Sequence, residues 1–211
     1  MRTMVILESA ENRRILMEKN RMEALTDGIF AFAMTLLVLN MILPSDAAIT
    51  QTSRAALFSL LPAFYHYIIA FFILVAFWMG HHAQFSMVHH IDKNFLLLNA
   101  ISLFFVTLVP FSTSFIGDYP SDTLATCVFE FNLLILGLIL VSQWYYSSHN
   151  HRLINPELSQ YDIRLRMYRG LAIPAISLVA IIITVLGFSS STMLYMASPL
   201  VTYFVVRYTQ K

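Results

Sequence analysis

Charge is scarce in this chain: Asp, Glu, Lys and Arg make up 12% of its 211 residues, while hydrophobic side chains make up 58%. An average soluble domain carries roughly 25% charged residues, so most of this chain cannot form a water-facing surface. The formal net charge of +1 argues against a nucleic-acid partner. Its one cysteine, Cys127, excludes a disulfide framework and any cysteine-based metal pattern. The first 20 residues mix acids with bases and lack a continuous apolar core, so they read as a cytosolic arm and not as a signal peptide. No lipidation or retention signal is visible.

The chain has instead a series of apolar runs, each long enough to cross the ~30 Å hydrocarbon core of a bilayer. Six spans are predicted, at about 21–43, 57–87, 94–117, 122–147, 169–188 and 192–208. The last is short and contains Pro199. If the second were helical from Arg54 to Met87 it would extend for about 50 Å, so it must tilt or project. With both termini inside, twelve of the thirteen Lys and Arg residues fall on the cytoplasmic side and Arg54 alone lies outside. That asymmetry supports an even number of crossings in the cell membrane. The expected fold is all-α: one polytopic membrane domain over 21–208, after the 1–20 arm and before a 209–211 tail. No soluble catalytic domain fits, no internal repeat is evident, and an enzyme is not expected.

The first span carries the most information. Arg21, Glu23, Thr26 and Asp27 lead directly into hydrocarbon, where a carboxylate at mid-depth costs roughly 2.5–3.5 kcal/mol on insertion scales. Beyond them Gly28, Phe32, Thr35, Leu39 and Ile42 repeat at steps of 4, 3, 4 and 3 and share one narrow helix face. Asp27 points about 100° away from the centre of that face. The stripe fits ordinary helix packing or the wall of a permeation path, and spacing alone leaves both open.

The second span contains Trp78, His81 and His82 on one face, and either histidine is a candidate partner for Asp27; an Arg–Asp bond is the other. His81, His82, His89 and His90 form a weak metal pattern if His82 shares a helix face with His89 or His90. His66 is alone in its span and is expected to be hydrogen-bonded in the bundle. Glu130, near Asn132 in the fourth span, is a functional candidate by its location alone. It could be protonated, buried at a subunit contact, or proton-coupled.

The segment Arg21-x-x-x-Leu25-Thr26-Asp27 resembles the Arg-x-x-x-Phe-Ser-Asp signature that opens the first helix of the transmembrane protein 175 family of potassium channels. The resemblance continues from Gly28 through Leu39, at Phe77-Trp-Met-Gly-His-His-Ala-Gln-Phe85, and from Leu97 to Thr113 with Asn99 and Pro110-Phe-Ser-Thr113. It implies a homotetramer of the single-repeat microbial type, with four copies of the first helix around a pore. Phe32, Leu36 and Leu39 then match an apolar constriction, and Thr35 matches a pore-facing threonine layer. Arg21, Leu25, Thr26 and Asp27, with Trp78 and His81 or His82, match the cluster that holds the first helix in place. Leu25, Thr26 and Phe32 depart from the usual Phe, Ser and Ile or Leu; a ring of four phenylalanines would occlude the path or swing aside as a wider gate.

No Thr-Val-Gly-Tyr-Gly segment is present, so a carbonyl-cage filter does not apply. No span is arginine-rich, so little voltage dependence is expected. The expected activity is a leak-like, potassium-permeable channel without a cofactor, its partners being its own copies, the bilayer and permeating potassium. The rival expectation is a proton-coupled small-solute or ion transporter using Asp27, His82 and Glu130.

Overall fold

The computed structural model describes residues 2–39, 41, 52–188 and 190–209, and for residues 2–17 and 208 the backbone alone. Ile42, the outer loop over 44–51 and Lys211 lie outside the described residues. The helices are α1 (Arg2–Leu39), α2 (Ser53–Ser59), α3 (Leu61–Phe85), α4 (Lys93–Asp118), α5 (Thr123–Ser148), α6 (Gln160–Gly170), α7 (Ala172–Val185) and α8 (Ser198–Thr209). Short 3-10 turns occupy His149–His151 and Ser191–Ala197.

Several helix starts follow from oxygen-bearing side chains that take orphan first-turn amides. Asp92 accepts from Phe95 N at 2.9 Å and starts α4, and Asp122 accepts from Ala125 N at 2.8 Å and starts α5. Ser159 accepts from Asp162 N at 3.1 Å and starts α6.

Prolines set the breaks. The expected 50 Å second helix does not form, because the chain stops at Leu60 and restarts as α3 with Pro62 in its first turn. Pro62 has no amide to bond Phe58 and tolerates only a first-turn position. Pro174 likewise lacks the amide that would bond Gly170, and α6 yields to α7 at Leu171.

Among the described residues five stretches are long and apolar enough to cross a membrane: Glu18–Leu39, Leu61–Phe85, Lys93–Asp118, Thr123–His151 and Gln160–Val185. The predicted sixth span differs. It is a 3-10 turn followed by the 12-residue α8, which rises about 18 Å. Pro199 cannot donate to the preceding turn, so one α ladder cannot run through from Ser191.

α4 sits among α1, α3 and α5, while α5 also packs on α6 and α7, and α8 lies against α6 and α7. The main core joins Phe30, Ala33 and Leu37 of α1 to Leu74 and Phe77 of α3, Val106 of α4 and Leu133 of α5. A second cluster, including Met22, Phe85, Val88, Phe95, Trp144 and Ile163, closes the end where α3 and α5 finish. There an isolated antiparallel bridge pairs Val88 with Ile154, and Lys19 Nζ donates to Val88 O at 2.6 Å.

α5 and α7 pack tightly at Gly137, where an added Cβ would lie 2.6 Å from Cγ of the rigid Pro174 ring. Gly137→Ala should therefore force the helices apart and lower stability by about 1–3 kcal/mol. Gly80, where a Cβ meets nothing within 4 Å, is the control: Gly80→Ala should hold or raise the melting temperature. Thermal unfolding in detergent compares the two, and equal behaviour would refute the close-packing account.

Candidate functional site

α1 has two unlike faces. Met22, Thr26, Phe30, Ala33 and Leu37 are buried, at steps of 4, 4, 3 and 4 that keep one side against α3 and α4. On the other side Phe32 is 63% and Leu39 69% exposed, Gly28 and Thr35 are exposed, and Leu36 is half-buried. Among the described residues nothing covers Phe32 or Leu39 on this stripe. Its one hydroxyl, on Thr35, donates to Phe32 O at 2.8 Å, so the proton is used within the helix and the oxygen lone pairs remain free.

The helix is held by polar bonds to α3 and α4, and through Asn99 to α5. Asn99 Nδ2 on α4 donates to Thr26 Oγ1 at 3.0 Å. In that orientation Asn99 Oδ1 accepts from His81 Nε2 on α3 at 2.9 Å and from Gln143 Nε2 on α5 at 3.3 Å. Thr26, His81, Asn99 and Gln143 are all buried, and the His81 ring lies 4.2 Å from the Phe85 ring and 6.2 Å from Phe30. Trp78 Nε1 donates to Asp27 Oδ1 at 2.9 Å. Nearer the helix start, His82 Nδ1 meets Glu23 Oε1 at 3.3 Å.

The partner expected for Asp27 is therefore corrected. It is the Trp78 indole, because Trp78 faces α1 while His81 turns to Asn99 and His82 to Glu23. Leu25 is corrected too: it is 59% exposed and lies outside the anchoring cluster, two residues from Asp27 in number but on another helix face. Arg21 is exposed, and among the described residues none pairs with it. The helix face expected to join His82 to His89 or His90 does not exist, since α3 ends at Phe85. Among the described residues no group of three or more His, Cys, Asp or Glu could hold a metal. Gln143 was missed; its signal was an amide side chain inside an apolar span.

Glu130 is fully buried within the subunit. Its Oε1 accepts from Ser191 Oγ at 2.6 Å and its Oε2 from Thr184 Oγ1 at 2.9 Å, while the two hydroxyls are 2.7 Å apart. Thirteen residues, about 20 Å of helix, separate Glu130 from Gln143 along α5. The structure does not bring Asp27, His82 and Glu130 together. His66 Nδ1 is bonded to Pro62 O at 2.8 Å.

Outside the spans, Asp92 anchors the loop beneath α1. Burial pushes its carboxyl up. The Tyr146 hydroxyl (2.6 Å), the Phe95 amide, Arg152 (3.7 Å) and His90 outweigh that and hold it below the ordinary carboxylate range.

The fold and this site define a helical membrane protein whose first spanning helix is bonded on one side and bare on the other. Residues 21–110 match the family model described as "Endosomal/lysosomal potassium channel TMEM175". A protein of Chamaesiphon minutus named a potassium channel is 29% identical over 150 residues, 69% of this chain and 74% of its own. Another so named, from Streptomyces collinus, is 28% identical over 145 residues, 67% and 70% of the two chains. A crystal structure titled as a lysosomal potassium-selective channel TMEM175 homolog from Chamaesiphon minutus superposes with a TM-score of 0.76 at 27% identity, covering 90% of this chain and 97% of that one. Over residues 21–110, and in its likeness to these potassium channels, the chain resembles the TMEM175 family.

Two outcomes follow. Asn99→Ala orphans His81 and Gln143 and should cost about 1–3 kcal/mol for each buried group left unpaired. Loss of the exposed Thr107 hydroxyl, in Thr107→Ala, should stay within about 0.5 kcal/mol, and thermal melts decide between them. The lowered Asp92 pKa contributes stability that is present above its unfolded value of about 3.9 and lost as pH falls through the folded one. Asp92→Asn should flatten acid unfolding in that window; an unchanged acid limb would remove Asp92 as a contributor.

Proposed function

We propose that the chain is a potassium-permeable, leak-like cation channel in which four copies of α1 line one pore. The observation that carries this reading is the bare stripe of Gly28, Phe32, Thr35, Leu36 and Leu39 on a helix whose opposite face is bonded into its own subunit. Four such faces around an axis would cover one another. Relatives named potassium channels support potassium as the permeant ion.

Phe32 and Leu39 would form rings that stop ions by dewetting. Thr35, with its proton turned to Phe32 O, would present four hydroxyl oxygens as acceptors to a partly dehydrated cation. The Thr26–Asn99–His81 and Asp27–Trp78 bonds would hold each α1 in register, so that opening is a rotation of α1 against this anchor. In this reading α8 and the preceding 3-10 turn complete a sixth crossing, both termini are cytoplasmic, and the protein resides in the cell membrane as a homotetramer. A proton-coupled transporter gains no support from Asp27, His82 and Glu130, which bond to different elements.

Purified protein in planar bilayers, under asymmetric potassium and sodium, should give discrete currents reversing toward the potassium potential. Phe32→Ala or Leu39→Ala should raise the current severalfold, and Thr35→Ala should shift the reversal potential toward zero. Silence from folded wild-type protein and from Phe32→Ala alike would overturn the channel reading.

A further inference from the structure

Away from the stripe, a cavity of about 690 Å³ opens among α3, α5, α6, α7 and α8. Phe77, Leu140, Ile173 and Val206 give it an apolar wall. From Ala76 to Gln84 this wall follows α3 for about 12 Å. Met79 and Tyr203, both exposed, also line it, which leaves it open toward lipid.

One end of the cavity is polar, and the two buried polar atoms there that lack a partner are both donors. Gln84 is 4% exposed, and its Nε2 has no hydrogen-bond partner. Arg166 Nε is also buried without one, although its guanidinium lies 5.5 Å from the Trp144 ring centre. Arg169, one turn along α6, lines the same space. Among the described residues no carboxylate pairs with either arginine. Asp162, one turn before Arg166, accepts from Ser159 Oγ at 2.6 Å. Buried donors are ordinarily satisfied, and two guanidinium groups beside an amide call for an anion with several oxygens.

We propose that this cavity binds an anionic phospholipid of the cytoplasmic leaflet. Its phosphate meets Arg166, Arg169 and Gln84 Nε2, and one acyl chain lies along Phe77, Leu140 and Ile173. A carboxylate offers only two oxygens to these donors, and a choline head would set its own cation against the arginines. Basic pockets between helices on the cytoplasmic side are a recurrent way to hold acidic headgroups. The choice of leaflet rests on the orientation proposed above, but binding is read without ion flux. The cavity also touches His81, so its occupant borders the bonds that anchor α1.

The test is lipid retention by native mass spectrometry. Protein is purified in detergent with equimolar phosphatidylglycerol, phosphatidylcholine and oleate. Wild type should retain phosphatidylglycerol preferentially, and Arg166→Gln and Arg169→Gln should each lower that retention about fivefold. Arg164→Gln, which alters a neighbouring arginine outside the cavity lining, should leave it unchanged. Size-exclusion elution identical to wild type establishes folding, and the exposed Arg169 supplies the variant least disturbing to it. Equal retention of phosphatidylglycerol and phosphatidylcholine, preference for oleate, or an equal loss in Arg164→Gln would overturn the proposal. None of those results would bear on the channel reading.

Discussion

Hydrocarbon offers no hydrogen bonds, so a polar side chain inside a membrane bundle must find its partner within the protein. The Thr26–Asn99–His81–Gln143 network is where this constraint shapes the molecule most. It bonds four side chains from four helices through one amide, and any rotation of α1 must break or carry it. With the Asp27–Trp78 bond beside it, one face of α1 is committed to its own subunit. The other face is left bare.

The same constraint explains features far from α1. Glu130 is tolerated because Ser191 and Thr184 donate to both of its oxygens, which ties the 3-10 turn after α7 back to α5. At the opposite end, Asp92 caps α4, accepts from Tyr146 and meets Arg152, joining the loop after α3 to the turn after α5. Lys19 reaches that loop through Val88 O. Four buried atoms do not meet the constraint, Gln84 Nε2, Arg166 Nε, Asn132 Oδ1 and Gln143 Oε1, and the two donors among them lie beside a cavity that can admit a ligand.

Much of the bundle was legible because length and hydrophobicity are local properties. The runs that became α4 and α5 end within a residue or two of their Asp caps. The two faces of α1 were readable from a 4-3 spacing that any straight helix must obey. The breaks at Leu60 and before Pro199 were harder, since a proline in a span can kink, start or interrupt a helix and composition does not say which. Partner choice was hardest. Trp78, His81 and His82 share a helix face, and which one meets Asp27 depends on a rotation of α3 that no local pattern encodes.

The sequence by itself determined that this is a helical membrane protein, which helix carries the unusual polar start, and which residues share its bare stripe. Each follows from periodicity and from the cost of leaving charge in hydrocarbon. Tertiary structure decided that Trp78 bonds Asp27, that Gln143 joins Asn99, that Leu25 faces away from the anchor, and that Arg166, Arg169 and Gln84 converge on one cavity. These depend on the relative rotation and depth of helices far apart in the chain, and packing of whole side-chain surfaces sets those quantities.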